Sequence, residues 1–402
     1  MTISTAPVGH WAAKAASFLS KPSSLPAEPA QLRAGAVLSV DLDAIIENYR
    51  LLRAKAPQSV CSAVLKADAY GLGADRVGPA LAAAGCRQFF VAHLEEGIAL
   101  RKVLSDTCAI YVLHGPMPGS EPAFLEHALR PVLNGLEQIK SWQALGRKVG
   151  MALPAAIQVD SGMARLGLSP EELQTVSADR HFLDGITLTL VMSHLSWAEI
   201  PEHPANAEAL NRFRVARAML PMAPASFANS SGVFLGPDYH FDLLRPGAAL
   251  YGLCPQPGKP NPMRSVLTLR GKVIQTRALT AGTPVGYNGR YVCHSQGRIA
   301  TVGVGYADGF LRCLGNKASA SIRGHAVPIV GAVSMDLITL DISGLPFEPH
   351  PGELVDLIGG EAETPDAIAT QAGTIGYEIL TSLGGRYFRS YQGGAAVSAD
   401  HP

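Results

Sequence analysis

Ala63-Val-Leu-Lys-Ala-Asp-Ala-Tyr-Gly-Leu-Gly73 is the stretch on which the fold turns. An apolar run, Val60–Lys66, ends in a lysine and passes at once into a short turn holding Tyr70, Gly71 and Gly73. A lysine at the C-terminal end of the first strand of a parallel barrel points into the top-face cavity, where barrel active sites are built. Partial desolvation there lowers its pKa and makes the amine usable as nucleophile or base. The plainer alternative is a lysine snorkelling out of a strand end, and spacing alone leaves both open. Gly71-Leu-Gly73 lacks the third glycine of a dinucleotide fingerprint.

Working outward, Val37–Asp41 is extended, and Asp41 or Asp43 can cap a helix that puts Ile45, Tyr49 and Leu52 on one face. Short apolar runs then recur at Val60–Lys66, Phe89–Ala92, Ala109–Leu113, Pro131–Leu133, Leu153–Val159, Ile186–Met192, Ser226–Ala228 and Gly247–Leu250. Most are separated by segments of helical period such as Glu95–Val103 and Ala205–Met219. This alternation predicts an α/β chain, a (β/α)8 barrel rather than an open sheet. Near Ser265 the pattern changes. Val266–Leu279, Arg298–Val304, Ala318–Ile322, Val327–Leu340 and Glu353–Ile358 read as strands, with no helix until Thr364–Leu383. The expected organisation is therefore an N-terminal extension (1–35), a barrel (36–264) and a mainly β C-terminal domain (265–402). The boundary follows the Pro-rich run Gln256-Pro-Gly-Lys-Pro-Asn-Pro262.

The 402 residues carry 33 Lys+Arg against 33 Asp+Glu, so the formal charge is zero and a nucleic-acid partner has no electrostatic footprint. The six cysteines are scattered without a C-x-x-C pair, which reads as reduced buried thiols. No apolar run reaches the length of a membrane span. The first residues hold an amphipathic patch, Trp11–Leu19, but no basic start before an apolar stretch, so a frayed extension and a cytoplasmic protein are expected. His194, Glu199 and His203 match no helical zinc spacing, and no metal is expected.

Val64-Leu-Lys-Ala-Asp-Ala-Tyr-Gly71 resembles the pyridoxal-phosphate signature of the alanine racemase family. Further stretches resemble the family in order: Val159-Asp-Ser-Gly-Met-Ala-Arg-Leu-Gly167, Met192-Ser-His194, Ala228-Asn-Ser-Ser231 and Phe241-Asp-Leu-Leu-Arg-Pro-Gly-Ala-Ala-Leu-Tyr-Gly252. Val285-Gly-Tyr287, Val304-Gly-Tyr-Ala-Asp-Gly309, Val330-Gly-Ala-Val-Ser-Met-Asp336 and Thr374-Ile-Gly-Tyr-Glu378 continue the series. The resemblance implies a barrel with a C-terminal β domain, head-to-tail homodimers with shared sites, pyridoxal 5'-phosphate as cofactor and a small amino acid as substrate. It also implies roles. Lys66 would hold the cofactor and act as one acid/base, and Tyr287, reaching in from the partner subunit, would be the second. Arg245 would face the pyridine nitrogen, with His194 behind it. Tyr70, Tyr377, Ser230 and the Gly247 backbone would hold the phosphate. Arg165 and Met335 of the partner subunit would hold the substrate carboxylate, and Tyr306 would line the mouth.

The residue types suit the chemistry. Racemisation takes a proton from one face of the α-carbon and returns one on the other, which two bases accomplish without moving either around the carbanion. An arginine opposite the pyridine nitrogen donates a hydrogen bond without giving up its proton, so the electron sink stays weak. Some positions depart from the family. Gln158 stands where many members have a lysine, often carbamylated, that orients the arginine. Ala332 replaces a common arginine, and Leu337 a common glutamine. These departures leave a broader-specificity amino-acid racemase as an alternative. A barrel-fold pyridoxal-phosphate decarboxylase needs an acidic partner at the pyridine nitrogen, which Arg245 opposes. A cofactor-carrier protein on the same barrel would lack the β domain.

Overall fold

The computed structural model describes residues 30–394. The amphipathic patch at 11–19 lies outside them. The strand Ala36–Asp41 hands over directly to the helix Leu42–Lys55, and Asp41 is the cap: its side chain accepts the Ala44 N–H at 2.9 Å. Ile45, Tyr49 and Leu52 are all buried on the core face of that helix.

Eight parallel strands then close a barrel. The first is broken at Ser62 into Val60–Cys61 and Ala63–Val64. Its first piece pairs with Leu243–Leu244 and its second with Gln88–Val91, which joins the two ends of the sheet. Ser62 spans the break, with N–H and hydroxyl both donating to the Leu244 carbonyl at 3.0 and 2.6 Å. The remaining strands are Ala109–Val112, Arg130–Leu133, Leu153–Gln158, Ile186–Met192 and Ala225–Ser226. Helices cover them outside and side chains fill them inside, so the strands read as continuous apolar runs rather than alternating ones. Phe89, Phe90, Ile110, Tyr111 and Val132 are fully buried there.

Two readings of the barrel, its last strand and its first residues, are corrected. The eighth strand is Leu243–Leu244, and Gly247–Leu250 falls instead on a 3-10 turn, Ala248–Tyr251. Pro246 has no N–H to give; its carbonyl makes the last bond, accepting the Val64 N–H at 2.9 Å, and the apolar run after it packs as a turn. The strand Ala36–Asp41 does not belong to the barrel. It pairs antiparallel with Leu267–Leu279 and parallel with Phe388–Gln392, inside the β domain.

The β domain is organised by that long strand, Leu267–Leu279. Its first half pairs with Ala36–Asp41 and Leu354–Ile358, and its second half with Gly297–Val302. A register shift between Val273 and Gln275 lets one strand serve both layers. The expected strand Val327–Leu340 is two, His325–Pro328 and Ile338–Asp341, separated by the loop that carries Met335. Helices Pro365–Ala372 and Gly376–Thr381 follow, and the second returns to the barrel mouth. All six cysteines are free, but Cys313 is exposed and Cys254 only partly covered, so the buried-thiol expectation fits four of them. Among the described residues, no helix is long and apolar enough to cross a membrane.

Candidate active site

Lys66 leaves the first barrel strand half-buried and faces a cavity of about 640 Å³. The four residues after it, Ala67 to Tyr70, have φ of 52, 54, 53 and 56°. This is a full left-handed turn without glycine, which costs roughly 1–2 kcal/mol per residue. Surrounding bonds hold it. The Asp68 carboxylate accepts the Ala74 N–H at 2.7 Å and its carbonyl accepts the Gly73 N–H at 3.0 Å. Glu96 accepts the Ala67 N–H at 2.7 Å, and Arg389 donates to the Gly71 carbonyl at 2.6 Å. Gly71 itself has φ +81°, and a Cβ there would lie 2.5 Å from the Leu380 carbonyl oxygen, so the motif needs its glycine. The turn swings Tyr70 into the cavity wall, its ring 4.7 Å from Tyr251 and 6.0 Å from Tyr377.

Burial, and secondarily the Arg165 charge, pull the Lys66 ammonium below its ordinary range, while Glu96 opposes them. The lysine thus gives up its proton more readily than a surface lysine, which frees the amine for chemistry.

Arg245 is buried at the base of the same cavity. It donates to the Ser226 hydroxyl, to the Ser193 carbonyl at 2.5 Å, and to Nδ1 of His194 at 3.5 Å. Among the described residues it forms no ion pair with a carboxylate. Burial lowers its pKa to about 9, which still leaves it protonated at neutral pH. Burial and the Arg245 charge push His194 down to about 3, so it is a neutral acceptor for that guanidinium.

Arg165 sits on the loop after Leu153–Gln158, exposed but lining the cavity. The loop is wound around Asp160, whose carboxylate accepts the N–H groups of Gly162, Met163 and Ala164 at 2.8, 2.9 and 3.1–3.2 Å. The buried Gln158 donates to the Leu166 carbonyl at 3.2 Å, one residue beyond Arg165. It therefore fastens the loop's backbone beside the arginine.

Ser230, Gly247 and Tyr377 complete the wall. The Ser230 hydroxyl already accepts the N–H groups of Gly247 and Ala249 at 3.0 and 3.1 Å. The Tyr377 hydroxyl donates to Glu199 at 3.5 Å. Tyr287 and Met335 stand apart. Neither lines this cavity; they are 69% and 54% exposed on the β domain, with Tyr306 at 41%. Tyr287 lines a second concavity of about 400 Å³ with Ala332 and Leu337. Sequence reasoning gave no role to Glu96, Ser226, Ser193 or His114. Glu96 had one visible signal, a glutamate three residues beyond His93 at the start of a helix, which is capping-box spacing.

Pyridoxal phosphate fits these residues. The cavity has the volume of an ordinary cofactor pocket. It presents an amine for an aldehyde, and a buried guanidinium without a carboxylate partner for a ring nitrogen. The Tyr70, Ser230 and Tyr377 hydroxyls supply donors for a phosphate. A Cβ at Gly247 would overlap the Tyr70 hydroxyl, so only glycine leaves that corner open.

Comparison with known proteins agrees with this geometry. Residues 40–255 match the family model "Alanine racemase, N-terminal domain" and 266–391 match "Alanine racemase, C-terminal domain". The chain is 52% identical over 355 residues to "Alanine racemase, catabolic" of Agrobacterium fabrum, covering 88% of this chain and 91% of the relative. It is 49% identical over 363 residues to an alanine racemase of Rhodospirillum rubrum, covering 90% and 97%. The crystal structure of alanine racemase from Bartonella henselae, with covalently bound pyridoxal phosphate, superposes with a TM-score of 0.86 at 42% identity, covering 89% of this chain and 100% of that one. Two family models that together span barrel and β domain, and relatives near half identity along nearly the whole chain, make this protein a member of the alanine racemase family.

Proposed function

We propose that this chain interconverts L- and D-alanine with pyridoxal 5'-phosphate, using Lys66 and Tyr287 of the partner subunit as the two bases. The observation that carries the reading is the cavity that gathers Lys66, Arg165, Arg245 and Tyr377 in one chain while leaving Tyr287 and Met335 exposed elsewhere. When bound, the cofactor supplies the electron sink that weakens the Cα–H bond of the amino acid. Lys66 would hold it and, with its lowered pKa, exchange a proton at Nζ on one face of the substrate. Tyr287 of the partner subunit would exchange a proton at its phenolic oxygen on the other. Tyr70, Ser230 and Tyr377 would hold the phosphate with the Gly247 backbone. Arg245 would donate to the ring nitrogen while keeping its own proton, because guanidinium gives it up so reluctantly. His194 keeps Arg245 aimed. Arg165 would take the substrate carboxylate, with Met335 of the partner subunit.

The exposed Tyr287, Tyr306, Met335 and Leu337 form a semi-apolar face that suits burial against a second copy. A homodimer with two shared sites follows. We also propose that the barrel gives way to the C-terminal part of the β domain at 264/265, the strand Ala36–Asp41 joining that domain from the N-terminal side, and residence in the cytoplasm. Purified chain is incubated with the cofactor and L-alanine, and D-alanine is resolved chromatographically. Racemisation, abolished by Lys66→Ala, is expected; a decarboxylated amine and no D-alanine would overturn the reading. Serine and lysine offered in the same assay measure how strictly alanine is preferred.

A further inference from the structure

We propose that Glu96 is a positioning residue for Lys66, its carboxylate clamping the left-handed turn 67–70 onto the end of the neighbouring strand. The proposal rests on the role given to Lys66 above. Glu96 is the third residue of the helix Leu94–Arg101, immediately beyond the strand Gln88–Val91. One of its oxygens does what such a glutamate ordinarily does: Oε2 accepts the N–H groups of Ala92 and His93 at 2.7 and 3.0 Å and closes the start of its own helix. The other oxygen has a different task. Oε1 accepts the N–H of Ala67 at 2.7 Å, across 29 positions of sequence.

That amide is the first after Lys66, and Ala67 is the first residue with positive φ. On the near side, the Leu65 N–H is fixed to the Phe90 carbonyl at 2.8 Å. Lys66 therefore lies between two fastened amides, one bonded to the neighbouring strand and the other to the carboxylate that closes the start of the helix after that strand. Hydrogen bonds to an ionised acceptor are about twice as strong as neutral ones. Right-handed backbone is the default for the alanines and aspartate that form this turn. Relaxation of the turn toward it would swing both Lys66 and Tyr70 off their bearings. The carboxylate opposes that relaxation at the residue where the hand changes. Its charge also acts on Lys66 directly, raising the amine's pKa against burial.

Glutamine in place of Glu96 separates the two tasks. With its amide oxygen kept on Ala92 and His93, its NH2 faces the Ala67 N–H, donor against donor. Ala67→Gly supplies the complement, because glycine takes positive φ without strain. Glu96→Gln, Ala67→Gly and the double variant are compared as full-length protein loaded with pyridoxal phosphate. Hydrogen exchange is read by mass spectrometry in the turn and in the helix Leu94–Arg101, together with cofactor release on dilution and kcat and KM for alanine.

Loss of a charge-assisted bond predicts that Glu96→Gln speeds exchange in the turn and cofactor release by about tenfold, and lowers kcat similarly with KM changed by less than about twofold. Exchange in the helix should stay as in the parent, and Ala67→Gly should restore most of the loss. Unchanged turn exchange and cofactor release would overturn the proposal. So would faster exchange in the helix that Ala67→Gly does not repair, since the carboxylate would then be only a helix cap. If Glu96→Gln does not accumulate as folded protein, the double variant must do so; its failure would also overturn the proposal. The exchange readout requires no turnover, so the clamp and the racemase assignment can fail separately.

Discussion

The barrel mouth and the exposed face of the β domain carry opposite halves of the proposed chemistry, and they are built differently. At the mouth every reactive group is braced. Lys66 stands between two backbone bonds, Arg245 has three acceptors, and the Arg165 loop is wound on Asp160. On the β domain, Tyr287 and Met335 project from short loops with most of their side chains in solvent. The backbone around Met335 is nevertheless fixed. The Tyr306 and Ala307 N–H groups donate to the Ser334 and Met335 carbonyls at 3.0 and 2.9 Å, and Arg386 ties Asp308 to Asp336. A face held in shape yet left uncovered is suited to a partner. On the roles proposed above, one chain builds the cofactor pocket and carries only one of the two bases within it.

Mutations on the two sides should separate accordingly. Lys66→Ala removes both the cofactor anchor and a base, so activity should fall by about 10⁴-fold or more and the lysine adduct trapped by borohydride should vanish. A full-stoichiometry adduct in that variant would place the anchor elsewhere. Tyr287→Phe removes one acid/base group, and turnover should fall by about 10²–10⁴-fold. Cofactor retention and thermal stability should stay at parental values, because every group that lines the cavity within one chain is left in place. Loss of cofactor from Tyr287→Phe would erase the contrast between the two regions.

Much of this organisation was legible in the chain. The Val60–Lys66 run, the helical spacers and the change of pattern near Ser265 are direct consequences of burial on two faces versus one. The misread parts have physical causes. Ala36–Asp41 precedes the barrel in sequence but pairs with strands more than 200 residues away, and local pattern carries no such register. Gly247–Leu250 is apolar because it packs as a buried turn, which composition does not distinguish from a strand. The site residues of the resemblance were quoted by motif, whereas Glu96, Ser193 and Ser226 act through backbone or hydroxyl bonds that only the closed barrel creates. The bond from Gln158 to the Leu166 carbonyl is another contact that only the folded loop creates.

A smaller effect sharpens the picture of the braced side. His194 is pushed to about 3 by burial first and the Arg245 charge second. Its unfolded value is about 6.5. The stability it contributes is complete above about pH 6.5 and is lost as pH falls toward the folded value, at about 1.4 kcal/mol per pH unit. Urea unfolding of the cofactor-free protein between pH 4 and 6.5 should show this slope, and His194→Gln should flatten it. An equal slope in both proteins would mean that His194 is not held neutral in the folded protein. The smallest effect is expected at Gln158→Leu, where one neutral hydrogen bond of about 1 kcal/mol is lost. KM for alanine should rise severalfold with cofactor retention unchanged; an unchanged KM would mean that the Leu166 contact does not orient Arg165.

The central claim, that each site needs two chains, is tested most directly by mixing Lys66→Ala with Tyr287→Phe subunits. In a mixed dimer both lesions fall in one site and the other is intact. After exchange, activity should return to roughly a quarter of the parental value, since half of randomly paired dimers are mixed and each has one good site. If exchange is demonstrated with tagged subunits and activity stays at the level of the separate variants, both bases belong to one chain and the shared-site account is wrong.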